Sequence, residues 1–508
     1  MTVRTRMAPS PTGFLHVGSL RTGLYNYLFA KKHGGSCILR VEDTDRNEGR
    51  WKQEWEDMIF ESFADCGIEF DEDARKGGEY GPYRQSERLG IYQTYIDYIK
   101  KTRFVYEDTD EQGRKALRVN ISEIVKFLIE KESQSLIYSD DGGTRNGGVR
   151  IRFFDEILGE MSLPVEDFYD FVIVKSDGYP TFQFANAVDD HTMSITHVMR
   201  GNEHIQNTYM QILFYEIFGW EVPKFAHLNL QLEVDRSKMS KRKGAVSVEG
   251  FIEEGYLPQA LINFVFLLGF APSNDQEIFT IDEMMQAFDL SRCNKSNSIF
   301  DREKLKWMNG QYIKSLENHE YFEFAKKYAS DTLRLFEDIF GDNALDNFRK
   351  AVLLEKEKVR VFNEIPELLD FYVNYNPPAN DLLHKRNDSD TVQKILKYSA
   401  EYLRNADFDK LYKEQEKEKN FYNTISLTGD AFSSEIRELY DKDQFSLEEA
   451  LERVCQDLNL KRGEVFWAVR VKLTGRQASP GVFEVMNALG EDEVFRRLLL
   501  NQWPAIQQ

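Results

Sequence analysis

The chain has 508 residues, more than one ordinary hydrophobic core serves, so several domains are expected. Hydrophobic residues make up 42% and charged residues 30%, which excludes a disordered or fibrous chain, and no apolar run is long enough to span a bilayer. A formal net charge of −20 excludes a uniformly basic nucleic-acid-binding surface but leaves room for a local one.

Val3–Ala8 reads as a short strand running into the turn-rich loop Pro9-Ser10-Pro11-Thr12-Gly13. Apolar residues at Leu20, Leu24, Tyr27 and Leu28 predict a helix over Leu20–Lys32, with Gly34-Gly35 as its stop. Ser36–Val41 is the next strand, which makes a βαβ start of the doubly wound kind. Tyr106–Gly148 is more polar and broken by Asp140-Asp141-Gly142-Gly143, as an insertion would be. The α/β pattern resumes at Phe171–Lys175 and continues to Leu228–Val234, and Ala260–Ala271 reads as a buried helix. Beyond Asp301 the apolar spacing is helical, with Asn376–Asp390 and its Pro377-Pro378 pair as the best linker. Cys37, Cys66, Cys293 and Cys455 are scattered, so neither a disulfide framework nor a structural zinc site is expected. No hydrophobic leader is visible in Met1–Met7, and a cytoplasmic location is expected.

Two loops carry chemistry. The first, Pro9 to Ser19, contains His16-Val17-Gly18-Ser19 between a strand and a helix. A helix N-terminus there offers free backbone N–H groups and partial positive charge to a phosphate, and His16 adds a ring donor. Gly18 leaves space for a nucleotide base. The second, Lys238-Met239-Ser240-Lys241-Arg242-Lys243-Gly244, follows a predicted strand and places compact point charges where a phosphoryl group transfers. Either loop alone is an ordinary turn or basic surface loop; the pair in one fold is much rarer.

The pair resembles the signature motifs of class I aminoacyl-tRNA synthetases. Arg6 to Gly13, Leu39 to Asp45, Gly81 to Arg88, Lys175 to Thr181, Val188-Asp189-Asp190-His191 and Lys306 to Gly310 narrow the resemblance to the bacterial-type glutamyl-tRNA synthetases. It is dense to about Ile313 and resumes at Leu473 to Arg476 and Ser479 to Glu484. Glutaminyl relatives usually carry Pro-Glu-Pro-Asn-Gly where this chain has Pro9-Ser10-Pro11-Thr12-Gly13.

The resemblance implies an α/β fold: a Rossmann-type parallel-sheet catalytic domain with an inserted α/β subdomain, then an all-helical anticodon-binding region. It divides the chain into 1–105 and 171–245 as the two Rossmann halves, 106–170 as the acceptor-binding insertion, 246–322 as a stem-contact region and 323–508 as the anticodon domain. It implies an ATP-dependent glutamate–tRNA ligase, with ATP, L-glutamate and tRNA-Glu as partners, Mg²⁺ accompanying the ATP, no zinc and a monomeric state. His16, Lys238 and Lys241 are the implied catalytic residues. Pro9, Ser10, Pro11, Thr12, Gly13, His16, Gly18, Ser19, Glu203, Lys238, Met239, Ser240, Lys241 and Arg242 are the implied ATP contacts. Arg6, Ala8, Ser10, Glu42, Phe182, Asn186 and Arg200 are the implied glutamate contacts, with Arg6 on the side-chain carboxylate, Arg200 on the α-carboxylate and Glu42 on the ammonium.

Four departures stand out. Phe182 replaces a usual tyrosine, Gln183 a usual histidine, and Asn202 an acid; and 106–148 holds no cysteine for the zinc some relatives bind. Near the end, Lys461, Arg462, Arg470, Lys472 and Arg476 form the clearest basic concentration; of these, Arg470, Lys472 and Arg476 are expected to contact tRNA.

Overall fold

The computed structural model describes residues 2–44, 52–109, 111–138, 148–237, 246–408 and 446–500. The chain divides into two compact units, Met1–Asn309 and Gly310–Gln508. That boundary falls inside the 246–322 segment expected to form one region.

The first unit opens with β1 (Arg4–Met7), α1 (Val17–Lys32) and β2 (Ser36–Leu39). Helix α1 buries Leu20, Leu24 and Leu28. It begins earlier than the spacing predicts because His16 caps it: Nδ1 accepts from Gly18 N–H at 3.0 Å, a task usually given to Ser or Asp. Gly34 ends it at φ +63°, and the N–H of Gly35 donates to Ala30 O at 2.8 Å. A Cβ on Gly35 would lie 2.0 Å from Val3 O, so only glycine fits between helix and strand.

Next come α2 (Gln53–Asp65), α3 (Leu89–Ile99), β3 (Val105–Thr109), β4 (Lys115–Val119), α4 (Ile121–Glu130), β5 (Leu136–Tyr138), β6 (Val149–Asp155), β7 (Gly159–Pro164) and β8 (Val172–Val174). The unit continues with α5 (Phe182–Thr192), β9 (His197–Gly201), α6 (Ile205–Phe218), β10 (Lys224–Leu228), β11 (Gln231–Leu232), α7 (Val248–Glu253), α8 (Pro258–Leu267), α9 (Ile281–Ala287) and β12 (Ser298–Ile299). The expected buried helix over Ala260–Ala271 is α8, which starts on Pro258 and stops short of Ala271.

Strand β1 pairs in parallel with β2, and β10 in parallel with β9. Thr196 N donates to Arg4 O at 2.9 Å, which joins the two pairs. Strand β6 lies inside the segment expected as an insertion, yet it pairs in parallel with β10 at Phe225 and Asp155. Its alternation explains this: Ile151 and Phe153 face inward and join the core formed by Tyr209, Ile212 and Phe225. Elsewhere in the expected insertion, β3 and β4 form an antiparallel sheet with β8.

Helix α10 (Arg302–Ser315) crosses the boundary. The second unit, among the described residues, is helical throughout: α11 (Asn318–Tyr328), α12 (Ser330–Phe340), α13 (Ala344–Glu355), α14 (Ile365–Val373), α15 (Asn380–Leu383), α16 (Ser389–Leu403), α17 (Leu447–Leu458), α18 (Arg462–Thr474), α19 (Val482–Leu489) and α20 (Glu491–Leu499). Fully buried Arg497 ties it together, donating to Phe371 O, Tyr372 O and Leu473 O near the ends of α14 and α18. The expected linker Asn376–Asp390 lies within this unit and is pinned to it, with Arg386 donating to Gly463 O at 2.7 Å. Its proline pair ends a helix rather than a domain.

Candidate active site

The parallel strands β1, β2, β9 and β10 deliver Arg6, Glu42, Arg200 and Asn229 at or just past their carboxyl ends. All four line one cavity of about 620 Å³, placed where open α/β sheets bind ligands. The implied ATP contacts Pro9, Ser10, Thr12, Gly13, His16, Gly18, Ser19 and Glu203 line it too. Pro11 does not; it is buried beneath the loop. Every implied glutamate contact lines the cavity: Arg6, Ala8, Ser10, Glu42, Phe182, Asn186 and Arg200. Lys238, Met239, Ser240, Lys241 and Arg242 lie outside the described residues. The chain just after them is anchored at the first loop, with Val17 N–H donating to Val246 O at 3.2 Å and Val248 N–H to Leu15 O at 2.9 Å.

The helix N-terminus differs from expectation. Its first N–H groups are not free: Val17 donates to Val246 O, Gly18 to the His16 ring and Ser19 to His16 O. What α1 presents to a phosphate is therefore its dipole and His16. Because Nδ1 accepts, the proton of a neutral His16 ring sits on Nε2, which makes Nε2 the donor. A Cβ on Gly18 would sit 3.1 Å from His16 Nδ1 and 3.5 Å from Gln231 Oε1. Gly18→Ala is thus expected to displace the ring and cut kcat/KM for ATP by about tenfold to a hundredfold. Alanine favours a helix but weakens the His16 cap, so the net stability loss should stay within about 1 kcal/mol; a much larger fall in melting temperature would point to misfolding instead.

The floor of the cavity is a buried charge network. Arg6 is paired with Asp190 (Nε–Oδ1 3.0 Å), and Arg40 meets the same oxygen at 2.7 Å. Arg40 also reaches Glu42 at 3.2 Å, and Asp189 is held by Arg88 at 2.7 Å. Asn186 donates to Glu42 Oε1 at 2.7 Å and accepts from Gln211 at 3.0 Å. Burial opposes the charge on Asp190, but Arg6 and Arg40 outweigh it and hold the carboxyl below its ordinary range.

Arg200 is different. Its Nη2 donates to Gln211 Oε1 at 2.6 Å and Thr208 Oγ1 at 2.7 Å, both neutral, and among the described residues no carboxylate pairs with it. Its Nη1 is buried without a partner. Burial, with Arg6 adding like charge, pushes the guanidinium down to about 9. Of the two arginines, Arg6 has a carboxylate partner and Arg200, among the described residues, has only neutral ones.

Glu42 is the complement. Burial raises its pKa, while Arg40, Arg6 and Asn186 pull the other way. Protonation would remove its attraction for an ammonium group. The KM of an amino-acid substrate should therefore rise as pH falls through this raised value, at higher pH than an exposed glutamate would give. Glu42→Gln should flatten that limb, as exchange kinetics across pH can show.

With this geometry in hand, comparison with known proteins is direct. The family described as tRNA synthetases class I (E and Q), catalytic domain, matches residues 2–131 and 144–307, and an anticodon binding domain matches 410–500. The glutamate–tRNA ligase of Clostridium novyi is 36% identical, covering 98% of this chain and 96% of that protein. That of Symbiobacterium thermophilum is 34% identical over 98% of this chain and 99% of its own. The chain belongs to the glutamate–tRNA ligases. Among solved structures, the ligase of Elizabethkingia meningosepticum, solved in complex with its amino acid, superposes with a TM-score of 0.76 at 31% identity, covering 100% of both chains. The Elizabethkingia anophelis enzyme gives 0.77 at 32%, with the same coverage.

The structure places the residues at the expected departures. Phe182, at the start of α5, packs on His204 with ring centroids 5.4 Å apart. Gln183 donates to Asn207 at 3.3 Å. The basic concentration near the end is less uniform than the sequence suggests. Lys472 is buried and donates to Leu500 O at 3.2 Å, so it is not on an exposed cationic face. Arg470 and Arg476 are half-buried, and Arg476 meets Asp370 at 3.3 Å. Among the described residues no group of three or more His, Cys, Asp or Glu side chains could hold a metal ion, and no helix is long and apolar enough to cross a membrane.

Sequence reasoning missed Asp190, Arg40, Thr208 and Gln211 as partners of the residues that line the cavity. The first two lie in segments that carry the family resemblance. Thr208 and Gln211, three apart on α6, share a face with buried Ile212 and Tyr215 and were legible as buried polar groups.

Proposed function

We infer that the chain activates L-glutamate with ATP to glutamyl adenylate and pyrophosphate, then transfers glutamate to the terminal ribose of tRNA-Glu. One observation supports this above the rest: one cavity holds the His16 loop together with buried Arg6, Arg200 and Glu42, while the third buried guanidinium in its lining, Arg21, is taken up by Asn229 and Leu268 O. Glutamate carries the opposite set, two carboxylates and one ammonium.

In this reading Arg200 and Arg6 take the two carboxylates and Glu42 the ammonium. The α-carboxylate attacks the α-phosphorus of ATP, the bond to the bridging oxygen breaks, and pyrophosphate leaves with those electrons. His16 steadies the phosphates from Nε2, and Lys238 and Lys241 neutralise charge building on the pyrophosphate. A ribose hydroxyl of tRNA then attacks the mixed anhydride and releases AMP. Mg²⁺ would arrive with ATP; among the described residues no cluster of three or more carboxylate, His or Cys side chains could hold it. We place the enzyme in the cytoplasm as a monomer. Arg470 and Arg476 remain its proposed tRNA contacts.

Lys241→Ala should lower the activation rate about a hundredfold with little change in glutamate KM. A change in KM alone would contradict the transition-state role. The overall reaction is tested by charging purified tRNA-Glu with labelled glutamate: an ester at the terminal ribose is expected, and its absence with folded enzyme contradicts the reading.

A further inference from the structure

Behind Arg200 stand three side chains that take no part in the scheme above. Asp155 ends β6 and His227 lies in β10, both fully buried. His227 Nδ1 is 2.6 Å from Asp155 Oδ2, an oxygen that also accepts His227 N–H at 3.0 Å. A carboxylate only accepts, so the ring proton belongs on Nδ1. Burial lowers the pKa of His227, with Asp155 opposing, so Nε2 stays a lone pair. Facing that lone pair are Thr208 Oγ1 at 2.9 Å and Arg200 Nε at 3.4 Å, and Thr208 Oγ1 lies 2.7 Å from Arg200 Nη2.

We propose that Asp155, His227 and Thr208 are positioning residues for amino-acid recognition: they fix one edge of the Arg200 guanidinium so that Nη1 is left for a substrate carboxylate. The proposal rests on the reading that Arg200 binds glutamate. A ring held by Asp155 in the Nδ1–H tautomer gives Arg200 a neutral acceptor, whereas a free ring could turn a donor toward it. A neutral acceptor orients the guanidinium without satisfying its charge. The same Nη2 also donates to Gln211, which connects through Asn186 to Glu42. The spacing between carboxylate and ammonium sites is thereby set by one continuous chain of hydrogen bonds.

The purely architectural alternative is that His227 only packs against Phe153 and Phe225 and ties β6 to β10. Kinetics separate the two. His227→Phe keeps the packing and removes both nitrogens; His227→Gln can return an acceptor near the place of Nε2. Thr208→Val removes the hydroxyl at similar shape, and Thr208→Ser restores it. In ATP–pyrophosphate exchange with tRNA present, His227→Phe and Thr208→Val should raise glutamate KM about tenfold and leave ATP KM within about twofold. The Gln and Ser variants should recover most of the loss. Folded His227→Phe with unchanged glutamate KM, or with both KM values shifted together, overturns the proposal. Should His227→Phe fail to fold, Thr208→Val against Thr208→Ser decides in the same way. Arg200→Met in the same assay separates the layers: if it leaves glutamate KM unchanged, the Arg200 reading fails; if it alone raises KM, only the positioning proposal fails.

Discussion

Arg200→Met lowers kcat/KM for glutamate by about two to four orders of magnitude and leaves the KM for ATP nearly unchanged. Methionine matches the length of the aliphatic stem and removes the charge. A substrate carboxylate would then enter a buried site where the neighbouring Arg6 is already paired with Asp190, and the loss of such a pair is worth about 3–5 kcal/mol. Stability should move the other way. Arg200 is buried with only neutral partners among the described residues, so its removal takes out an uncompensated charge. Melting should stay level or rise while activity collapses, the trade-off expected of a site built for a ligand. Equal losses in both would make Arg200 a structural residue.

Asp190→Asn gives the largest expected loss of stability. Its carboxylate is shared by Arg6 and Arg40 at 3.0 and 2.7 Å, all three side chains being nearly inaccessible. Without it, the buried guanidinium of Arg6 loses its carboxylate partner, at a cost of about 3–5 kcal/mol. Urea titration of the intact chain should show this. The pH dependence has a definite sign. Because the folded value of Asp190 is depressed, its contribution is complete above the unfolded value of about 3.9 and disappears as pH falls through the lower folded one. The variant should therefore lose less stability than the parent on acidification.

How far the sequence reaches can be judged residue by residue. The His16 loop, Glu42 and Arg200, expected to act together, do line one cavity, and each sits beside the end of a strand, where local pattern and family resemblance agree. The start of α1 was missed because a histidine ring does the work of a capping hydroxyl. Strand β6 was assigned to an insertion because parallel pairing leaves no short-range mark; its partner Phe225 lies far along the chain. The Asp155–His227 bond spans 72 positions, and Arg6–Asp190 spans 184. No spacing rule reaches that distance. Lys472 was misread for a different reason: charge was counted without phase. Val465, Ala468 and Val469 share its face of α18, and that apolar stripe marks Lys472 as interior.

The two loops that first drew attention specify adenylate chemistry and say nothing about which amino acid is used. In the proposed reading that choice rests on Arg6, Glu42 and Arg200, so the decisive measurement is amino-acid-dependent ATP–pyrophosphate exchange, with glutamate or glutamine, with and without tRNA. Exchange with glutamate in the presence of tRNA, and none with glutamine, is the predicted result. Exchange supported by glutamine alone, or tight tRNA binding with no exchange, would contradict the account.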